Sequence, residues 1–107
     1  MSPQYSREEI EVSLQSTDAG VVIDALMYLC FHIRDPDWAL DKCIHAAENG
    51  IDEDVKGLGL TCIGHIARLY AWIDKQKVMP VLERMLNEIP LSGRAQDALD
   101  DIETFVK

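Results

Sequence analysis

The sequence has 107 residues, with 19 Asp or Glu against 10 Lys or Arg, so its formal net charge is −9. This length fits one domain over residues 1–107, because domains commonly contain about 100–150 residues. Hydrophobic residues make up 48% of the chain, which is too many for a disordered acidic segment. Because phosphate binding requires Lys and Arg, the charge argues against nucleic acid as a direct partner and favours a basic protein.

The expected location is the cytoplasm. No uncharged apolar run approaches the roughly 20 residues that a membrane-spanning helix needs, and the N-terminus lacks a signal-peptide pattern. We therefore expect no membrane partner. The three cysteines, Cys30, Cys43 and Cys62, form no CxxC pair and lie in apolar stretches. They are predicted to be buried free thiols in a reducing compartment.

Three helices are predicted in the first half of the chain. Residues 6–9 begin with Ser and end with Glu, the spacing of a capping box, which predicts a first helix after residue 6. Asp18 is the expected N-cap of a second helix over about residues 19–32. A third helix begins at the Asp-Pro pair 35–36 and ends at the Asn-Gly pair 49–50, which we expect to form a left-handed C-cap.

Three more helices are predicted in the second half. The fourth and longest is capped by Asp52 or Asp54 and ends near Trp72, and Asp74 caps the fifth. The Ile-Pro pair 89–90 is predicted to end the fifth helix, and Ser92 to cap the sixth. Strand patterns are almost absent, so the fold class is all-α, and the short connections predict that consecutive helices are antiparallel.

The even-numbered helices repeat one apolar pattern. The repeated positions are Val22, Ala25, Leu26 and Leu29, then Gly59, Cys62, Ile63 and Ile66, then Ala95, Ala98, Leu99 and Ile102. The offsets between the three sets are 37 and 36 residues. A helical hairpin repeated with this period predicts a short α-solenoid of about three hairpins.

Two segments carry a resemblance to a known repeat family. Residues 78–86, with an internal proline, resemble the first helix of a HEAT repeat. Residues 54–66, with an Asp-Val-Lys opening and a late glycine, resemble the second helix, and residues 93–99 repeat the theme. The resemblance implies a HEAT-like array whose second helices stack side by side and line a concave face.

A narrower resemblance concerns function. The overall size, the acidity and the closing stretch 93–102 resemble immunity proteins of contact-dependent growth inhibition and related polymorphic toxin systems. This implies a cytoplasmic inhibitor that binds and neutralises a cognate toxin domain. The toxin is expected to be a basic nuclease, because an acidic face can block a basic substrate cleft. A general HEAT-like adaptor or scaffold for protein–protein interaction remains the alternative.

The even-numbered helices also present the candidate binding residues. Outside the core positions, nine residues are the candidates for partner binding: Asp24, Tyr28 and Phe31 on the second helix, Thr61, His65 and Arg68 on the fourth, and Asp97, Asp100 and Asp101 on the sixth. Aromatic anchors beside carboxylates are typical of a protein-binding surface. An alternative remains open for Met27, Tyr28 and Phe31, which could instead cover the N-terminal edge of the core.

No pattern indicates an enzyme. The histidines, His32, His45 and His65, lack the spacing of metal ligands, and no phosphate-binding loop or nucleophile motif is present. The clustered carboxylates lie in polar runs, where nothing would raise a pKa for acid catalysis. We therefore expect no catalytic residue, no metal and no cofactor.

Overall fold

The computed structural model describes residues 5–32 and 34–107, so Ile33 lies outside the described residues. Within these ranges the chain forms six helices and no strand, in agreement with the predicted all-α class. The helices are α1 (Arg7–Leu14), α2 (Ala19–His32), α3 (Pro36–Asn49), α4 (Glu53–Tyr70), α5 (Lys75–Met85) and α6 (Ile89–Phe105).

The predicted helix starts have a local chemical cause. Ser6 Oγ accepts a hydrogen bond from the Glu9 backbone N–H, and the Glu9 carboxylate accepts one from the Ser6 N–H, so the capping box is complete. The carboxylates of Asp35, Asp52 and Asp74 each accept from the backbone N–H three residues later. Each such cap stabilises its helix by about 1 kcal/mol.

The helix ends differ from the predictions at two places. Gly50 follows α3 with φ −55°, so the predicted left-handed cap at this glycine is wrong. The left-handed residue is instead Ala71, with φ 49°, and it ends α4 at Tyr70 rather than near Trp72. An alanine in this conformation costs about 1–2 kcal/mol, so the packing of the residues around it must hold it there.

The junction between α5 and α6 also differs. The fifth helix ends at Met85, and the Ile-Pro pair 89–90 begins α6 instead of ending α5. Proline is common just after the end of a helix, because it cannot continue the helix. It is also common in the first turn of a helix, because the N–H groups there have no partner within the helix. Ser92 consequently lies inside α6, where its hydroxyl donates to the Ile89 carbonyl, and the prediction that it caps the helix is wrong.

The six helices pack in two rows. Helix α4 contacts α2 on one side and α6 on the other, α3 contacts α5, and each odd-numbered helix contacts the next helix in the chain. Ion pairs Asp41–Lys77 and Glu48–Arg84 join α3 to α5, each between residues 36 positions apart. We call α2, α4 and α6 the even row, and α1, α3 and α5 the odd row.

The core lies between the two rows. The repeated apolar positions predicted from the sequence are buried, apart from Leu99, which is half-buried. Gly59 is buried because α4 and α3 approach closely there; an added Cβ would lie 2.8 Å from the Ala47 nitrogen and the Cys43 oxygen. All three cysteines are free and buried, as predicted.

Candidate protein-binding face

The nine candidate residues lie on the three helices of the even row, and we call the surface that they form the even-row face. They are Asp24, Tyr28, Phe31, Thr61, His65, Arg68, Asp97, Asp100 and Asp101. The structure brings five of them into direct side-chain contacts between neighbouring helices: Phe31, Thr61, His65, Arg68 and Asp101. Of the other four, Asp24, Asp97 and Asp100 are exposed, and Tyr28 packs against Tyr5.

An aromatic contact joins α2 to α4. The Phe31 ring is 58% exposed and lies over the imidazole of His65, with ring centroids 4.6 Å apart. Below these rings the Cys30 thiol donates to the Cys62 carbonyl at 3.8 Å. The two helices are therefore close enough for one exposed apolar ring to rest on the polar ring of the next helix.

Tyr28 is directed differently from Phe31. Its ring packs edge-on against Tyr5, with centroids 4.9 Å apart, and against His32 at 4.7 Å. These contacts leave Tyr28 half-buried, between the C-terminal half of α2 and Tyr5, which precedes α1. The sequence left open whether these aromatic residues form part of a binding surface or cover the N-terminal edge of the core. In the structure Tyr28 packs at that edge, and Phe31 lies on the even-row face.

An ion pair joins α4 to α6. Arg68 Nε lies 3.6 Å from Asp101 Oδ2, with Arg68 half-exposed and Asp101 partly buried. Gly64 makes this possible, because an added Cβ at that position would lie 2.6 Å from the same carboxylate oxygen. Asp101 is therefore partly neutralised and is not a free acidic group.

Arg94 completes the face, although sequence reasoning did not include it. Its guanidinium donates to Thr61 Oγ1 at 3.3 Å and lies over Gly57, where an added Cβ would be 2.8 Å from the arginine side chain. A signal was present in the sequence, because Arg94 precedes Asp97 by three residues and so lies on the same side of α6. The expected acidic end of the face consequently contains a cation.

Three carboxylates remain exposed around this group. Asp24 and Asp97 are exposed on α2 and α6, and Asp100 accepts a hydrogen bond from Gln96 on its own helix at 2.9 Å. Four carboxylates and two guanidinium groups leave the face with a formal charge of −2. The face is therefore a mixed surface with a moderate negative balance, and most of the acidity of the chain lies elsewhere.

His65 occupies the centre of the face. Partial burial and the neighbouring Arg68 lower the pKa of this imidazole below its usual 6.5, while Asp101 acts in the opposite direction. A lowered pKa favours the neutral ring at neutral pH. The neutral ring is a flat, uncharged group with hydrogen-bonding nitrogens.

The chemistry of the face suits binding. Within residues 5–32 and 34–107, no group of three or more His, Cys, Asp or Glu side chains could hold a metal ion. No helix in the same part of the chain is long and apolar enough to cross a membrane. The exposed ring of Phe31, bordered by carboxylates and guanidinium groups, resembles the anchor and rim of a protein interface.

Comparison with known proteins relates this fold to one assembly. Neither a protein-family model nor a curated protein sequence matches the chain. A chain in the crystal structure of a CDI complex from Cupriavidus taiwanensis LMG 19424 is similar, with 25% identity and a TM-score of 0.84. The match covers 98% of this chain and 97% of that chain. This protein therefore shares its helical fold, over nearly its whole length, with a component of a CDI complex.

Proposed function

We propose that this protein is an immunity protein of contact-dependent growth inhibition (CDI), which binds a cognate toxin domain and neutralises it. The observation that carries the proposal is the likeness, over nearly the full length, to a chain of a CDI complex. The small size and the acidic composition support the same assignment. The inhibitor acts by occupying the toxin and needs no catalytic residue of its own.

The proposed partner is a basic toxin domain, and a nuclease fits this description. A nuclease cleft is lined by cations that hold phosphates, so a protein with a net charge of −9 is attracted to it over long range. Electrostatic attraction of this kind raises the association rate and fixes orientation more than it raises affinity. The affinity must then come from an anchor such as Phe31.

We propose the even-row face as the toxin-binding surface, on a short HEAT-like solenoid. The two rows of helices and the separation of 36 residues across the α3–α5 ion pairs support a repeat built from helical hairpins. A standard interface buries about 800 Å² on each partner. Such an interface would take about an eighth of the 6304 Å² that the protein exposes. Three free buried thiols fit a cytoplasmic location.

Co-expression with the toxin domain encoded beside this gene tests the proposal. The wild-type protein should restore growth, and the purified pair should form a tight complex whose association slows with salt. Replacing two exposed carboxylates of the face, Asp24→Lys with Asp97→Lys, should slow association about tenfold. Phe31→Ala should accelerate dissociation about tenfold, as expected for an anchor residue.

The matched control places the same charge change away from the face. Glu8→Lys with Glu83→Lys alters two exposed glutamates on α1 and α5 of the odd row and shifts the net charge equally. This variant should retain most of the association rate. If the wild-type protein neither protects cells nor binds the toxin domain, the immunity function is wrong and the adaptor alternative replaces it. If it binds but all three variants behave alike, the even-row face is not the interface.

A further inference from the structure

A cavity lies on the other side of the molecule, between the C-terminal halves of α1 and α3. Its volume is about 370 Å³, and its apolar lining comes from four elements and the loop before α4. The apolar lining residues are Leu14, Val22, Ala46, Ile51 and Val55. Cavities of roughly 150 Å³ already accept a benzene ring, so this one has room for a large apolar side chain.

The cavity exists because α1 does not pack along the whole of α3. Helix α1 has only eight residues and ends at Leu14, whereas α3 has fourteen. Near the start of both helices Arg7 pairs with Asp35 and lies 5.0 Å from the centre of the Trp38 ring. Further along, the Glu11–Lys42 ion pair bridges the gap, and beyond it the space stays open.

An exposed aliphatic side chain marks the rim of the cavity. Ile51 is 53% exposed although it lines the cavity, so part of its surface is available to an incoming group. It belongs to the short connection between α3 and α4. An apolar anchor that entered the cavity would cover Ile51 and remove apolar area from water on both partners.

Lys42 also lines the cavity but is paired with Glu11, and further acidic residues lie beside the lining residues in the sequence. Residues 52–54, all acidic and exposed, fill the chain between the lining residues Ile51 and Val55. Asp18 lies one helical turn before the lining residue Val22, whose N–H donates to the Asp18 carbonyl at 3.2 Å. Four acidic residues within one turn of the lining favour an occupant that carries positive charge beside its apolar group.

We infer that this cavity receives a large apolar side chain flanked by Lys or Arg, presented by the toxin domain. The inference rests on the proposed function, because it assigns the segment to the toxin. A second copy of this chain is a poor occupant, since each copy carries a net charge of −9 and the two would repel one another. The first turns of α2 and α4 supply two of its lining residues, Val22 and Val55.

Two exposed isoleucines provide a matched test with the purified toxin domain. Ile51→Lys places a cation at the rim of the cavity and should weaken the complex at least about tenfold. Ile89→Lys makes the same change at a residue that is 89% exposed at the start of α6, and it should change the affinity less than about threefold. Equal affinities for Ile51→Lys and the wild-type protein would overturn the inference and leave the immunity function intact.

A peptide titration tests the cavity without the toxin. Capped Gly-Lys-Phe-Lys-Gly, followed by amide chemical shifts, should perturb Ala46, Ile51 and Val55, whereas Gly-Glu-Phe-Glu-Gly should leave them unchanged. Absence of these shifts with both peptides, or equal shifts with both, would overturn the inferred ligand class. Shifts with the basic peptide alone, together with no binding of the toxin domain, would retain the ligand class and refute the immunity function.

Discussion

The two rows of helices are joined by different forces. In the even row, α4 and α6 approach so closely at Gly64 that an added Cβ would lie 3.3 Å from the Cα of Ala98. In the odd row, long charged side chains span the space between α3 and α5, as in the pair Asp41–Lys77 at 3.0 Å. Packing contacts of the first kind are short-ranged and rigid, and exposed ion pairs are weak and screened by salt.

The difference explains why the two surfaces suit different contacts. Close packing joins α4 to α6, and the Phe31–His65 contact joins α2 to α4, so under the proposed function these groups are in place before binding, which lowers its entropy cost. The odd row contains a cavity because α1 and α3 are bridged by Glu11 and Lys42 and are not packed along their length. A rigid face and an open cavity thus follow from two ways of joining helices.

The largest effect is expected where backbones are closest. Gly59 lies where α4 of the even row packs against α3 of the odd row. Gly59→Ala should lower the free energy of unfolding by about 2 kcal/mol, because its Cβ meets backbone atoms of α3 that no side-chain rotation can move. Gly93→Ala is the control, since a Cβ there meets nothing within 4 Å. It should raise stability by about 0.5–1 kcal/mol through helix propensity. Urea denaturation measures both, and equal stability of the two variants would refute close packing as the main constraint.

A smaller effect is expected for the ion pairs of the odd row. A double-mutant cycle with Asp41→Asn and Lys77→Gln should give a coupling energy of about 0.2–1 kcal/mol, because both side chains are about half-exposed. The coupling should shrink in 1 M salt, where the screening length falls to about 3 Å. A cycle between Asp41 and Arg84, which pairs with Glu48, should show almost none. A large coupling that salt does not reduce would contradict the comparison.

The smallest effect concerns the pH dependence of the even row. His65 has a folded-state pKa below its usual 6.5, so the unfolded chain binds more protons as the pH falls through this value. Stability is therefore unaffected by this group above about pH 6.5 and decreases below it. His65→Gln should remove that part of the decrease in thermal unfolding measured across pH.

Two further variants test the cause of this shift in opposite directions. Arg68→Gln removes a neighbouring cation and should raise the pKa of His65, whereas Asp101→Asn removes the opposing carboxylate and should lower it. Titration of the His65 ring by NMR reports both values. A shift in the same direction in both variants would show that the pair Arg68–Asp101 acts on His65 through packing and not through charge.

Sequence reasoning placed the candidate residues on their helices but did not predict their surroundings. Helical spacing placed Phe31, His65 and Arg68 on one row, because equivalent positions of parallel helices face the same side. It did not distinguish Tyr28 from Phe31, since their different directions depend on where Tyr5 packs. Arg94 was missed because its role depends on the glycine opposite it, Gly57, which lies 37 residues earlier.

Local sequence was sufficient for the number of helices, most of their starts, their buried stripes and the negative net charge of −9. These features depend on caps and on apolar spacing within a few residues, which short-range interactions determine. The distribution of that charge was not predictable in the same way. Asp101 is paired with Arg68, Lys42 is paired with Glu11 at the cavity, and the even-row face has a formal charge of only −2. Such pairings join residues far apart in the chain, so they are set only when the helices pack.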